Sequence, residues 1–271
     1  MIKMMIIDID EFIGQNYPGI NRYVMSALNG KTDRYHVICI MPYRHLFFDL
    51  DHTLWDFDAN AMETLAEVYD QMQLTAKGVS SFEDFSRHYL HHNAILWDRY
   101  HHGFITAEDL KWKRMWRTLL EFKIGDESLA KQMSEHFLEV LPTKQNLFPH
   151  TREILAHLKE KNYILHLITN GFEKTQKRKI EHAQIAHYFD EMITSEKSNS
   201  VKPQKEIFEY ALNATGALLQ ESIMIGDNPD ADIQGAINAG MDSIYVNHLN
   251  KPIDLLPTYT IYHLRELEEI L

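Results

Sequence analysis

Phe47-Phe48-Asp49-Leu50-Asp51-His52-Thr53-Leu54 sets two carboxylates two residues apart, directly after an apolar, strand-like run. Residues i and i+2 of a strand share a face. A strand that ends at Asp49 and turns there leaves one carboxylate at its tip and the other just beyond. In that geometry one Asp can attack while its neighbour moves a proton. Asp-x-Asp recurs by chance in many chains, so the weight of this pair rests on the residues downstream of it. A second copy, Asp8-Ile9-Asp10, is followed by Glu11-Phe12-Ile13 instead of a Thr and a turn, and reads as a decoy.

The rest of the chain gives the pair a setting. Residues 45–50, 163–169, 222–226 and 243–247 are short apolar runs with turn residues behind them, and read as buried parallel strands. Helical patterns lie between them at 151–161, 203–213 and 230–239, and Pro203 suits a first helical turn, where no backbone donor is missed. Strands alternating with helices predict an α/β fold, a doubly wound parallel sheet whose ligands bind at the carboxyl ends of the strands. From about residue 57 to residue 146 the texture changes to helix periodicity without a convincing strand. Breaks near Lys77-Gly78-Val79-Ser80, His102-Gly103 and Gly125-Asp126 divide this interval into roughly four helices, inserted after the first strand. The expected division is an N-terminal extension over 1–43, a core over 44–56 and 147–271, and a helical insert over 57–146. Met41 lies just upstream of the first strand. Translation starting there would make the preceding segment upstream read-through; the alternative is a real appendage in which residues 35–40 add an edge strand.

Composition narrows the function classes. A length of 271 residues suits one α/β domain with a sizeable insertion, and 45% hydrophobic with 24% charged residues is ordinary for a globular protein. The formal net charge of -12 argues against a nucleic-acid polymer as partner, since that needs a basic face. A small anionic substrate stays open, because a metal and a few local cations reverse the potential inside a cleft. Cys39 stands alone, which excludes an intramolecular disulfide and favours a cytoplasmic setting. No apolar run approaches the roughly 18 residues of a membrane span. Asp8, Asp10 and Glu11 also interrupt the apolar N-terminus, so no secretory signal is expected.

Three further elements complement Asp49 and Asp51, each at a predicted strand end or helix start. In Leu167-Ile168-Thr169-Asn170-Gly171-Phe172, a hydroxyl and backbone donors with a Gly that allows close approach suit a phosphoryl oxygen. At Lys202-Pro203 an ammonium can neutralise a phosphate and an attacking carboxylate together. The acidic loop Ile225-Gly226-Asp227-Asn228-Pro229-Asp230-Ala231-Asp232 can hold a hard cation such as Mg²⁺, which takes oxygen ligands. Each has a bland alternative: an ordinary turn, an exposed lysine, an Asp-rich helix cap.

Taken in order, Asp49-Leu50-Asp51-His52-Thr53-Leu54, Thr169-Asn170-Gly171, Lys202-Pro203 and Gly226-Asp227 with Asp232 resemble the four motifs of the haloacid dehalogenase-like hydrolase superfamily. The resemblance covers about residues 44–247. It implies a Rossmann-like core with the helical interval as a cap domain. It also implies that Asp49 is the nucleophile that forms an aspartyl-phosphate, and that Asp51 is the general acid and base. Thr169 and the Asn170 amide would bind phosphoryl oxygens, and Lys202 would offset the charge of Asp49 and the phosphate. Asp49, Asp227 and the backbone carbonyl of Asp51 would hold Mg²⁺, with Asp232 a weaker ligand or an orienting partner and Asp230 a helix cap. Dehalogenases of the superfamily lack a carboxylate at the position of Asp51 and need no metal. A halide leaves without a proton and an alkoxide does not, so Asp51 favours phosphoryl transfer. His52 stands where many members carry Gly, a departure that removes no catalytic group.

Within the superfamily the chain looks most like the bacterial nucleotidase-type branch, through residues 92–100, Gly103-Phe104-Ile105-Thr106 and Ile168-Thr169-Asn170-Gly171-Phe172. The substrate expected from that likeness is a small phosphorylated metabolite, a nucleoside 5′-monophosphate, and the working form a monomer or homodimer. The alternatives are a sugar-phosphate phosphatase or phosphomutase, and a binding protein that keeps the scaffold without catalysis. Trp97, Tyr100, Phe104, Trp112 and Trp116 offer faces for a base or sugar, although rings at helical spacing are more often core. Arg99, Lys113, Arg114 and Arg117 read as solvated surface. The pairs His91-His92 and His101-His102 point about 100° apart on a helix, so a transition-metal site is not expected there. His150, His157 and His166 read as packing or surface residues.

Overall fold

His45–Phe48 forms β1 and is buried at all four positions, as a strand covered on both faces must be. The computed structural model describes residues 43–271. The second Asp-x-Asp, the edge strand over 35–40 and the start at Met41 lie outside the described residues. β1 pairs in parallel with β2 (Ile164–Thr169) on one side and β4 (Ser222–Gly226) on the other. With β3 (Phe189–Thr194), β5 (Asp242–Val246) and β6 (Tyr259–Ile261), the described residues form one six-stranded parallel sheet in the order β3-β2-β1-β4-β5-β6. The chain steps outward from β1 to β3, then crosses back to β4, which makes the carboxyl end of β1 the switch point where open sheets bind ligands. β3 and β6 were not expected from the sequence: β3 buries fully only its last two residues and β6 is three residues long.

Alternate residues of β1 feed different cores. Phe47 packs with Ile168, Ile193, Ile207 and Phe208 on one face, whereas Leu46 and Phe48 join a larger cluster that runs through Leu54 and Trp55 into the helical insert. The insert holds α1 (Phe57–Gln71), α2 (Phe82–His101), α3 (Ala107–Glu121) and α4 (Glu127–Val140), the four helices expected. Each starts on a polar side chain that accepts a backbone N–H three residues on: Asp56, Ser81, Thr106 and Asp126. Such caps contribute about 1 kcal/mol each. The two linkers between sheet and insert pair with each other, Asp56 N donating to Asn146 O at 3.1 Å and Phe148 N to Leu54 O at 2.9 Å.

Around the sheet lie α5 (Thr151–Glu160), α6 (Glu173–His182), α7 (Lys205–Thr215) and α8 (Gly235–Ala239), the last preceded by a π-helical turn over Pro229–Gln234. α7 begins two residues after Pro203 rather than at it, with Gln204 as its N-cap. No helix among the described residues is long and apolar enough to cross a membrane.

Candidate active site

Asp49 is the first residue beyond β1, with its backbone N–H donated to Ile225 O at 2.8 Å. Thr169 ends β2 and Asp227 follows β4, so three neighbouring strand ends deliver them to one place. Lys202 arrives from the loop beyond β3, gripped by the Asn170 side chain: Lys202 N donates to Asn170 Oδ1 at 2.7 Å, and Asn170 Nδ2 donates to Lys202 O at 2.9 Å. Lys202 Nζ then donates to Asp49 Oδ1 at 2.6 Å, Asp232 Oδ1 at 2.6 Å and Ile168 O at 2.7 Å. An ammonium has three donors. All three are committed, so toward an anion in the cavity Lys202 has charge to offer and no free hydrogen-bond donor. Likewise the Asn170 side-chain amide is committed to the lysine, which leaves its backbone N–H for an anion.

Oxygens of Asp49, Asp227 and Asp232 lie within 4.8 Å of one another. Burial pushes the Asp49 carboxyl up to about 7, with Lys202 opposing and Asp232 adding to the shift. Asp227 is raised well above the carboxylate range by burial and then by repulsion from Asp232 and Asp49; a hydrogen bond from Thr53 Oγ1 at 3.0 Å partly relieves it. Burial works against the Lys202 ammonium, but Asp232 and Asp49 outweigh it and hold the group above the ordinary lysine range. One ammonium against three crowded carboxylates is a donor set that fits a hard divalent cation. Within it, Asp232 is the most committed: Oδ1 faces Lys202 and Oδ2 accepts Asn228 N at 2.9 Å. Gly226 makes room for it, since a Cβ there would lie 2.3 Å from Asp232 Oδ2.

The Asp51 carboxylate faces a different cation. Lys179 Nζ donates to its two oxygens at 2.6 and 2.9 Å, and Gln176 Nε2 donates to Oδ2 at 2.9 Å. Lys179 is buried with its ammonium 4.3 Å from the centroid of the Trp55 ring; burial lowers its pKa and Asp51 opposes the shift. Gln176 Nε2 also donates to Thr169 Oγ1 at 2.7 Å, and Gly171 N donates to the same oxygen at 3.1 Å. With both lone pairs of Thr169 filled, its hydroxyl meets a further group only as a donor, which suits an anion. Gly171 has a reason the sequence reading missed: a Cβ there would lie 2.5 Å from the Gln176 side chain.

Gln176 and Lys179 were themselves missed, together with the helix α6 that carries them. Glu173-Lys174-Thr175-Gln176-Lys177-Arg178-Lys179 reads as a solvated charge run. A signal was present nonetheless. Phe172, Gln176, Ile180 and Ala183 recur at helical spacing, and Lys179 lies one turn from Gln176 on the same buried face.

These groups line a cavity of about 590 Å³ whose far wall comes from the helical insert. Of the five aromatic candidates, Trp97 lines it; Tyr100 packs against Leu96, Leu110 and Phe172, Phe104 is 69% exposed, and Trp112 and Trp116 pack beside the core. Arg114 corrects the surface expectation. It is 3% exposed and lines the cavity, with Nε donating to Leu110 O at 3.1 Å and Nη1 to Asn93 Oδ1 at 3.0 Å. His101 also lines the cavity, and burial holds it down to about 4, so its ring is neutral. His166 is a packing residue as expected, stacked 5.4 Å from His45.

The family model for haloacid dehalogenase-like hydrolases matches residues 46–246. The chain belongs to that family. As a member of this hydrolase family it is 30% identical to the pyrimidine 5′-nucleotidase PynA of Streptococcus pneumoniae, over 85% of this chain and 96% of that one. It is 31% identical to the pyrimidine 5′-nucleotidase YjjG of Escherichia coli, over 85% and 99%. Among solved structures, the HAD-hydrolase YfnB of Bacillus subtilis bound to magnesium superposes with a TM-score of 0.77 at 26% identity, covering 84% of this chain and 98% of that one. A 2-haloacid dehalogenase from Pseudomonas syringae superposes with a TM-score of 0.59 at 26% identity, covering 84% and 97%. The scaffold is therefore shared by proteins named for breaking different bonds.

Proposed function

We propose that this hydrolase is a Mg²⁺-dependent phosphomonoesterase of the cytoplasm. Its substrate would be a small phosphorylated metabolite, a nucleoside 5′-monophosphate, cleaved through an aspartyl-phosphate at Asp49. The observation that carries the reading is the Asp51 carboxylate, held by Lys179 and Gln176 on the same cavity as Asp49 and Thr169. A proton-moving group at that position has work to do only if the leaving atom is basic. The nucleotidase relatives support the substrate class.

The roles follow from the contacts. An Asp49 oxygen bonds to phosphorus as the bond to the leaving oxygen breaks, and Asp51 gives that oxygen its proton. Water then attacks phosphorus, Asp51 takes its proton, and the bond to Asp49 breaks to release inorganic phosphate. The Thr169 hydroxyl and the Asn170 backbone N–H hold the phosphoryl oxygens, while the Lys202 charge offsets Asp49. Asp49, Asp227 and the Asp51 carbonyl would hold Mg²⁺, with Asp232 orienting the set; when bound, the ion screens the carboxylates from the phosphate. Residues 44–56 and 147–271 act as the core and 57–146 as a cap over the cavity, joined through the paired linkers.

Phosphate release from a panel of nucleoside monophosphates and sugar phosphates, with Mg²⁺ or with chelator, tests the reading. The expected result is metal-dependent release from nucleotides, reduced about 10²- to 10⁴-fold in Asp51→Asn. Inert nucleotides beside active sugar phosphates would move the substrate class, and no metal-dependent release from any ester would end the phosphatase reading.

A further inference from the structure

Arg114 is a buried guanidinium that makes no ion pair among the described residues. Its flat faces are accounted for: the Tyr89 and Phe137 rings lie 5.9 and 5.7 Å away. Its edge is not. Of five N–H donors, one goes to Leu110 O, one to Asn93 Oδ1 and a third has the buried Tyr89 hydroxyl as an acceptor beside it, which leaves two on a side chain that lines the cavity. Asn93 is buried as well, and because its oxygen is taken by Arg114, its Nδ2 is left to donate. Arg114 and Asn93 thus present donors side by side, with Leu90, Trp97 and Leu138 as apolar surface around them; Asp58 and Asp98 line the same cavity without pairing with Arg114. A buried cation without a counter-charge is unfavourable unless something completes it.

We propose that Arg114, set by Asn93, is a specificity residue that reads an acceptor edge on the leaving group. Within the nucleotidase reading, on which the choice of base rests, that edge is the oxo-bearing edge of a pyrimidine. Cytosine offers O2 beside N3, and uracil offers carbonyls on either side of its N–H. A guanidinium next to an amide N–H₂ meets these acceptors, whereas the exocyclic amine of adenine would set donor against donor. A carboxylate on a shorter leaving group has the same acceptor chemistry.

The test measures kcat and KM for cytidine and uridine monophosphate, adenosine monophosphate, ribose 5-phosphate and phosphoglycolate. It compares the native protein with Arg114→Met and Asn93→Asp. Asn93→Asp gives the guanidinium a carboxylate partner inside the wall, so it keeps the fold while satisfying the donors. Both variants are expected to lose at least tenfold more kcat/KM on the pyrimidine nucleotides than on ribose 5-phosphate, mostly through KM. Losses equal on all esters, or an unchanged preference in Asn93→Asp, would overturn the assignment. A native preference for phosphoglycolate that both variants lose would keep Arg114 as the acceptor reader and remove the nucleotidase reading. A native protein that treats ribose 5-phosphate as well as any other ester would remove both.

Discussion

Two buried clusters that face one cavity are incomplete in opposite senses. At the strand ends, Asp49, Asp51, Asp227 and Asp232 face two ammonium groups, Lys179 and Lys202. On the helical side, Arg114 has amide and carbonyl partners and no carboxylate among the described residues. The sheet end is short of positive charge, and Arg114 is short of an acceptor, with Asp58 and Asp98 lining the same cavity but not paired with it. On the proposed reading, a divalent cation with a phosphate would complete the first, and the far end of the same molecule the second. Neither end is arranged for stability alone, since buried groups left incomplete oppose folding.

The largest test of this contrast is Asp49→Asn. Turnover should fall on the order of 10⁴-fold or more, because no other group supplies the nucleophile. The metal-free melting temperature should stay level or rise, since one of the crowded carboxylates is neutralised. A large loss of stability would mean that the sheet end is a structural ion cluster instead. Lys179→Met comes next. The expectation is a fall in kcat of roughly 10²-fold with little change in KM, because Asp51 loses its positioning while the phosphate contacts stay. Steady-state kinetics on the best substrate separates the two parameters, and a change confined to KM would place Lys179 on substrate.

How far these groups were legible depended on the company they keep. Asp49, Thr169 and Asp227 lie at or just beyond the ends of short apolar runs with turn residues behind them, which read as buried parallel strands, so sequence placed them at strand ends. Lys179 was missed and Arg114 misread for one physical reason: each is a buried cation in a stretch of cations less buried than itself, Lys177-Arg178-Lys179 and Lys111-Trp112-Lys113-Arg114. Charge composition spoke for solvent, whereas periodicity spoke for the interior. Leu110, Arg114 and Thr118 form one buried stripe on α3, and Phe172, Gln176 and Ile180 another at α6. A polar residue at an apolar position of a helical stripe was the clue.

Magnesium and pH sharpen the contrast at a smaller scale. Folded Asp49 titrates near 7 against an ordinary 3.8, and Asp227 is raised in the same direction. The Asp49 contribution to metal-free stability is full below about pH 4 and is lost as pH rises through about 7, and Asp227 acts in the same direction. His101 and His166, each held down to about 4 by burial, run the other way: theirs is full above about pH 6.5 and lost as pH falls through about 4. Melting against pH alone mixes the two, but the metal acts on the carboxylates. The rise in Tm with saturating Mg²⁺ should be small at about pH 5, grow through pH 7, and vanish in Asp227→Asn. A rise independent of pH would place the ion elsewhere.

The smallest expected effect lies at the turn between the two ends. His52 holds a left-handed φ of 65°, lines the cavity, and packs its ring 5.2 Å from Phe57 at the start of α1. Leu54 N and Trp55 N both donate to Leu50 O at 3.0 and 2.9 Å, so the backbone of the turn is fixed by its own hydrogen bonds. If those bonds set the conformation, His52→Ala loses the ring contact and keeps the cost of a Cβ at positive φ, while His52→Gly loses the contact and relieves the cost. The Gly variant should then be the more stable of the two by about 1 kcal/mol in denaturant unfolding, at unchanged m-value. Equal stabilities would mean that the turn relaxes once the imidazole is gone. The His52 ring against Phe57, rather than the backbone, would then hold the insert wall in register with the strand ends.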